Sequence, residues 1–175
     1  FSPEKNLPRL LFAFAAARRQ AQHGSNWGLL LRGDGPQRTE LIGLAQRLGL
    51  TSVQVLPGVP WHEVPATLAL ADMLVLPSLS EPWGLVVNEA MVCGLPVLVS
   101  DRCGCAEDLV RTGENGFTFP PEDQTRLSEL LRAVMDAPET SLRTMGEASR
   151  RLVGAFSLPV VAEEMRVGFE KIASA

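Results

Sequence analysis

The sequence predicts an α/β domain built on a doubly wound parallel sheet, and three features carry that expectation. Short apolar segments alternate along the chain with segments whose apolar residues recur at helical spacing, the pattern of a parallel sheet covered on both faces. Glycine and proline clusters punctuate the boundaries. The chain has 175 residues, enough for one domain with a sizeable core, and neither an internal repeat nor a low-complexity linker divides it. Residues 1–175 are therefore read as a single domain.

Taken in order, Pro3 can open a helix, and Leu7, Leu10, Leu11 and Phe14 then recur at helical spacing. Trp27 to Arg32 reads as a strand ended by the turn cluster Gly33-Asp34-Gly35-Pro36. Leu41, Leu44, Ala45 and Leu48 mark one face of a second helix, which Gly49 stops. Val53 to Leu56 is the next strand, closed by Pro57-Gly58. A short helix near Glu63 to Ala71 leads to a buried strand from Met73 to Pro77. Gly84 to Cys93 is a helix, with Gly94 beyond its end, and Leu95 to Ser100 is a strand. One or two helical turns from Ala106 to Val110 precede a small strand from Gly116 to Phe119. Three helices finish the chain, near Glu122 to Asp136, Glu139 to Val153 and Pro159 to Ile172. A sheet of this kind normally opens with a central strand, yet this chain opens just before a helix and without Met. A first strand is therefore expected upstream of Phe1.

Composition excludes several function classes. Lys and Arg total 16 against 20 Asp and Glu, a formal charge of −4, with no basic stripe of the kind that binds nucleic acid. The longest apolar run, Leu68 to Leu76 with Asp72 inside, is far too short to span a bilayer. The three cysteines, Cys93, Cys103 and Cys105, imply no disulfide framework, and a reducing cytosol is the simplest compartment. Cys103-Gly104-Cys105 could give two metal ligands, but with only His23 and His62 no second ligand pair lies at a useful spacing. It reads as a tight turn flanked by two small side chains, and no metal or other cofactor is expected.

The segment Pro77 to Met91 carries the chemistry. A strand ends at Pro77, a loop follows, and a helix starts near Gly84, so the loop lies at the carboxyl end of a parallel strand, where open α/β sheets bind ligands. The helix start offers unpaired N–H groups and the positive end of its dipole to an anion. Gly84 lets a ligand approach the backbone closely. Glu81 sits in the loop, and Glu89 lies eight residues on, a little over two helical turns. Carboxylates accept hydrogen bonds well from vicinal hydroxyls, so the pair suits a ligand with a phosphate and two sets of sugar hydroxyls. On spacing alone, two glutamates eight apart read first as solvated helix charges.

The ordered motifs decide between these readings. Glu81-Pro82-Trp83-Gly84-Leu85-Val86-Val87-Asn88-Glu89-Ala90-Met91 resembles the Glu-x7-Glu motif of the retaining GT-B glycosyltransferases of the family-4 type, in their C-terminal domain. Pro3-Glu4-Lys5-Asn6, Gly33-Asp34-Gly35-Pro36, Cys93-Gly94-Leu95-Pro96-Val97, Glu114-Asn115-Gly116-Phe117 and Phe156-Ser157 are similar to further motifs of that family, in the same order. The resemblance covers Phe1 to about Phe169 and implies the Rossmann-like C-terminal half of a GT-B enzyme.

It further implies a domain that binds a nucleotide-diphosphate sugar for retaining transfer of a hexosyl unit to an acceptor hydroxyl, without a metal. Lys5 would contact the donor diphosphate, Glu81 would orient the transferred sugar, and Glu89 would bind the ribose hydroxyls. Gly84, Leu85 and Val86 would offer backbone N–H groups. Val59 and Trp61 would lie where the family binds the base. Lys5 and Glu81 are the residues implied to act in catalysis. Residues 158–175 resemble a terminal helix that crosses toward an N-terminal acceptor-binding domain, expected upstream, and apolar faces without that partner could self-associate. Alone, the chain is expected to be inactive. The expected setting is cytoplasmic, with the full-length enzyme peripheral to the membrane if it resembles the relatives that act on lipid acceptors, an association carried mostly by the N-terminal domain. There are departures. The arginine that the family places five residues before its phosphate lysine would precede Phe1, Trp83 stands where phenylalanine is commoner, and Cys103-Gly104-Cys105 replaces a loop that is often Gly-Gly. The alternatives are a non-catalytic nucleotide-sugar-binding or regulatory module of GT-B fold and a nucleotide-sugar epimerase.

Overall fold

The computed structural model describes residues 1–173. Its strands are β1 (Leu29–Arg32), β2 (Val53–Leu56), β3 (Leu74–Leu76), β4 (Val97–Ser100) and β5 (Gly116–Phe119). The helices are α1 (Leu7–Gln20), α2 (Arg38–Arg47), α3 (Val64–Leu68), α4 (Leu85–Val92), α5 (Ala106–Leu109), α6 (Gln124–Met135), α7 (Glu139–Val153) and α8 (Leu158–Ala173). Every ladder is parallel, as the alternation of strands and helices predicts.

Side-chain alternation along the strands explains why helices cover both faces. Val97 and Val99 point into a core with Val87, Ala90 and Met91 of α4, Leu109 of α5 and Val153 of α7. Leu98, between them, points the opposite way, into a core with Leu10, Leu11 and Phe14 of α1 and Leu127, Leu130 and Leu131 of α6. All four residues of β4 are buried, the mark of a strand covered on both faces.

The predicted single sheet comes in two parts. β1 pairs only with β2, while β4 lies between β3 and β5. The two ladders nonetheless share one apolar layer. Leu31 of β1 and, partly buried, Val55 of β2 and Val75 of β3 meet the same α1 and α6 residues. α1 runs through this layer in contact with both α2 and α6.

The chain's beginning also departs from expectation. Pro3–Lys5 is a single 3-10 turn, Asn6 adopts the left-handed conformation (φ 54°, ψ 30°), and only then does α1 begin. Pro8, in the first turn of α1, marks the true helix start. The terminal helix forms as predicted but contributes no buried residue, so Leu158, Met165, Phe169 and Ile172 are exposed. Ser174 and Ala175, included in the expected 158–175 segment, lie outside the described residues. Among the described residues no helix is long and apolar enough to cross a membrane.

Strand pairing predicts amide exchange. The amides of Leu29 and Gly33 donate to Ser52 and Leu56 across the β1–β2 ladder, so the intervening alternation turns those of Leu30 and Arg32 to the open edge. Hydrogen exchange followed by NMR is expected to be slowest at Leu98 and Val99 of β4. Leu30 and Arg32 should exchange faster by on the order of a thousandfold or more.

Candidate functional site

Because the strands are parallel, their carboxyl ends lie together, and the loops that leave β3 and β4 are cross-linked there through the backbone. The Glu81 amide donates to the Arg102 carbonyl (3.3 Å), the Gly104 amide to the Glu81 carbonyl (2.9 Å) and the Cys105 amide to the Trp83 carbonyl (3.2 Å). This short bridge continues the β3–β4 pairing past the strand ends and holds Glu81 in place. Gly104 is the residue that permits it, since a Cβ there would overlap the Pro82 carbonyl. The Cys-Gly-Cys segment thus keeps the glycine at its critical position. Its thiols lie in the core, where burial pushes Cys103 up to about 12 and Cys105 up to about 11. The flanking small side chains expected from the sequence are therefore inert core residues.

The turn before α1 forms the third side. The Leu79 amide donates to the Glu4 carbonyl (2.8 Å), which joins the β3 loop to the Pro3–Lys5 turn. From that turn the Lys5 ammonium donates to Glu81 Oε2, across 76 positions of sequence. The two implied catalytic residues are thus in direct contact. Lys5 keeps 44% of its side-chain surface exposed and Glu81 16%, so the cation faces solvent while the carboxylate is sheltered.

The helix α4 begins at this pair. Gly84 precedes it with φ 100°, and a Cβ there would meet Leu76 Cδ2 at 2.9 Å, so the glycine serves both the turn and the packing. No side chain caps the helix, and the amides of Leu85 and Val86 have no partner among the described residues. Glu89, one turn along, is half-buried, and its carboxylate has no hydrogen bond or ion pair among the described residues. The arrangement gathers a cation, uncapped amides and two carboxylates at one helix start.

Val59 and Trp61 stand apart from this group, in the loop that follows β2 in the other ladder. Trp61 is 81% exposed, with its ring edge to face at 5.8 Å from that of His62, so most of the indole is open to solvent. No hydrogen bond or ring contact joins either residue to Lys5, Glu81 or Glu89 among the described residues. The Gly33-Asp34-Gly35-Pro36 turn is structural: Asp34 Oδ2 accepts the Gly58 amide at 2.8 Å and locks the ends of β1 and β2 together.

Sequence reasoning passed over two site residues. The Asn6 carboxamide donates to the Pro77 carbonyl (3.2 Å) and the Pro121 carbonyl (2.9 Å) while the residue is only 8% exposed. An asparagine between a Pro-led turn and a second proline was the available signal, because Asn tolerates the left-handed conformation. Trp83, read only as an unusual aromatic, donates from Nε1 to Asn88 Oδ1 (2.9 Å), and its ring packs at a tilt of 49° with its centroid 6.3 Å from that of Phe156. It therefore ties the site loop to the turn that launches α8.

Two outcomes follow from this geometry. Gly84→Ala forces a side chain into the left-handed region against Leu76, and denaturant unfolding is expected to show a loss of roughly 1–3 kcal/mol. Iodoacetamide at pH 8 is expected to alkylate the part-exposed Cys93 in the folded chain, with Cys103 and Cys105 reacting only on unfolding.

Known proteins carry the same arrangement of elements. An exopolysaccharide phosphotransferase of Streptomyces coelicolor is 31% identical over 173 residues, covering 98% of this chain and 18% of that protein. A glycogen synthase of Mycobacterium tuberculosis is 33% identical over 151 residues, covering 86% of this chain and 36% of that protein. Among solved structures, a sucrose-phosphate synthase of Thermosynechococcus elongatus superposes with a TM-score of 0.80 at 28% identity, over 99% of this chain and 43% of that one. Anabaena HepE, solved with UDP and glucose, superposes with a TM-score of 0.79 at 26% identity, over 100% of this chain and 46% of that one. The chain spans less than half the length of each of these proteins. Residues 1–152 match the family described as glycosyl transferases group 1, and with most of its length matched the chain belongs to that family.

Proposed function

We propose that this domain binds a nucleoside-diphosphate sugar and presents it for retaining transfer of a hexosyl unit to an acceptor hydroxyl. The observation that carries the reading is the contact of Lys5 with Glu81 beside the uncapped start of α4. The helix start and Lys5 together suit a diphosphate, the helix through its free amides and dipole and Lys5 through its charge. Glu81, held against Lys5, would meet the sugar attached to that diphosphate. Glu89, with a free carboxylate one turn deeper, would accept hydrogen bonds from the ribose hydroxyls. Trp61, with an exposed indole face, and the backbone at Val59 would receive the base. HepE was solved with UDP and glucose, a ligand pair of this chemistry.

In this reading, cleavage of the bond between the anomeric carbon and the diphosphate oxygen leaves negative charge on the departing phosphate. Lys5 and the amides of Gly84, Leu85 and Val86 neutralise that charge as it develops. The acceptor hydroxyl oxygen bonds to the anomeric carbon on the face that the phosphate leaves and passes its proton to the departing phosphate oxygen, which preserves the anomeric configuration. Glu81 and Glu89 bind hydroxyls here and do not act as the carboxylate pair of a glycoside hydrolase. No metal takes part. A second domain would hold the acceptor and pack on the exposed apolar stripe of α8, and without that cover the stripe would drive self-association of the chain alone. A cytoplasmic setting fits the three free cysteines.

Calorimetric titration of the chain with UDP, GDP and ADP, each alone and as a sugar conjugate, tests this reading. One diphosphate is expected to bind selectively, and Glu89→Ala to weaken it by about 10- to 100-fold. Unchanged affinity in that variant would show that the ribose is not held by Glu89. Glu81→Gln is expected to remove the extra affinity of the sugar conjugate over the bare diphosphate without weakening the diphosphate, because Lys5 is then released from its partner. EDTA is expected to leave all affinities unchanged.

A further inference from the structure

We infer that Asn6 is a positioning residue, which sets Lys5 against the diphosphate subsite through its carboxamide; the inference rests on the reading of Lys5 as a diphosphate ligand. Lys5 lies between two anchors. On one side, the Glu4 carbonyl accepts the Leu79 amide at 2.8 Å. On the other, Asn6 donates both hydrogens of one amide nitrogen, to carbonyls 71 and 115 positions away in sequence. Those carbonyls belong to Pro77, just beyond β3, and Pro121, just beyond β5. They fix the lysine's turn to the ladder that carries Glu81 and α4, while the Phe1 carbonyl, accepting the Gln37 amide at 3.1 Å, ties the chain's start to the loop after β1.

The chemistry of the position selects asparagine twice over. Asn6 is the one residue other than glycine with positive φ among the described residues, and asparagine bears that conformation at low cost. The side chain must also present two donors from one atom within a site that is 8% exposed. Glycine satisfies the first demand only. Aspartate matches the shape but would aim a carboxylate at two carbonyl oxygens. The helix that follows does not depend on the clamp for its own packing, because Leu10, Leu11 and Phe14 bury it in the core. Loss of the carboxamide should therefore loosen the Lys5 turn while the domain stays folded.

The test uses the chain with Asn6→Gly, Asn6→Asp, Lys5→Ala and the double variant Asn6→Gly with Lys5→Ala. Diphosphate affinity is read by calorimetry with UDP, GDP and ADP, and amide exchange is read by NMR without ligand. Asn6→Gly is expected to weaken the preferred diphosphate about tenfold and to remove protection of the Leu79 amide while Leu98 stays protected. In the Lys5→Ala background the same change should cost less than about twofold, since the two residues act as one unit. Asn6→Asp should behave as Asn6→Gly in binding and lower stability further. Equal losses in both backgrounds, or a Leu79 amide that stays protected in Asn6→Gly, would overturn the inference. If Lys5→Ala alone leaves affinity unchanged, or if none of the three diphosphates binds, the reading of Lys5 fails. The Leu79 amide then still decides whether Asn6 fixes the turn.

Discussion

The two hydrogen bonds from the Asn6 carboxamide to Pro77 and Pro121 join the start of α1 to the ends of β3 and β5, and the geometry of the candidate site follows from that junction. Parallel strands alone would only bring their carboxyl ends to one side of the domain. The loops that leave them still have to be fixed, because each carries backbone groups that need partners. Here they find them in one another. The β3 loop takes the Glu4 carbonyl on one side and the Arg102 and Gly104 backbone on the other. Glu81 is held from both directions, and Lys5 reaches it without a flexible loop having to order first.

Stability and function draw on different parts of this structure. The apolar layers on either side of β4 hold the fold, with Leu98 facing α1 and α6 and Val97 and Val99 facing α4, α5 and α7. The Lys5–Glu81 pair contributes little there. Its cation is nearly half exposed, and pairs of that kind add on the order of 0–1 kcal/mol. A sheltered carboxylate whose partner remains open to solvent is better suited to exchanging partners when an anionic ligand arrives. The uncapped start of α4 points the same way. Leaving helix amides unpartnered forgoes roughly 1 kcal/mol that a Ser or Asp before Leu85 would supply, and Gly84 instead keeps the approach clear.

Much of this was legible in the sequence, for identifiable reasons. Gly84 followed by an apolar helix, after a strand ended by Pro77, is a local pattern, and its parts fall where local rules put them. Gly104 between two cysteines reads as a turn and is one, although the need for glycine there comes from the Pro82 carbonyl on another loop. The contact of Lys5 with Glu81 could not be read from periodicity or spacing, since it depends on how the first turn docks onto β3. Asn6 was hidden by Pro3, which opens a 3-10 turn here rather than α1. Which strands pair was equally out of reach of periodicity, because the apolar runs of β1 and β3 look alike whatever lies beside them.

Mapping a nucleoside diphosphate onto the backbone would show whether Lys5, Glu81 and the start of α4 form its binding site. Amide shifts of the chain would be followed by NMR as UDP, GDP or ADP is added. The largest changes are expected on residues 4–6 and 81–89, with a second group near Val59 and Trp61, and Lys5 and Glu81 are expected to respond together. Changes centred instead on the groove between Thr112 and Arg151, at the opposite ends of the strands, would contradict that placement.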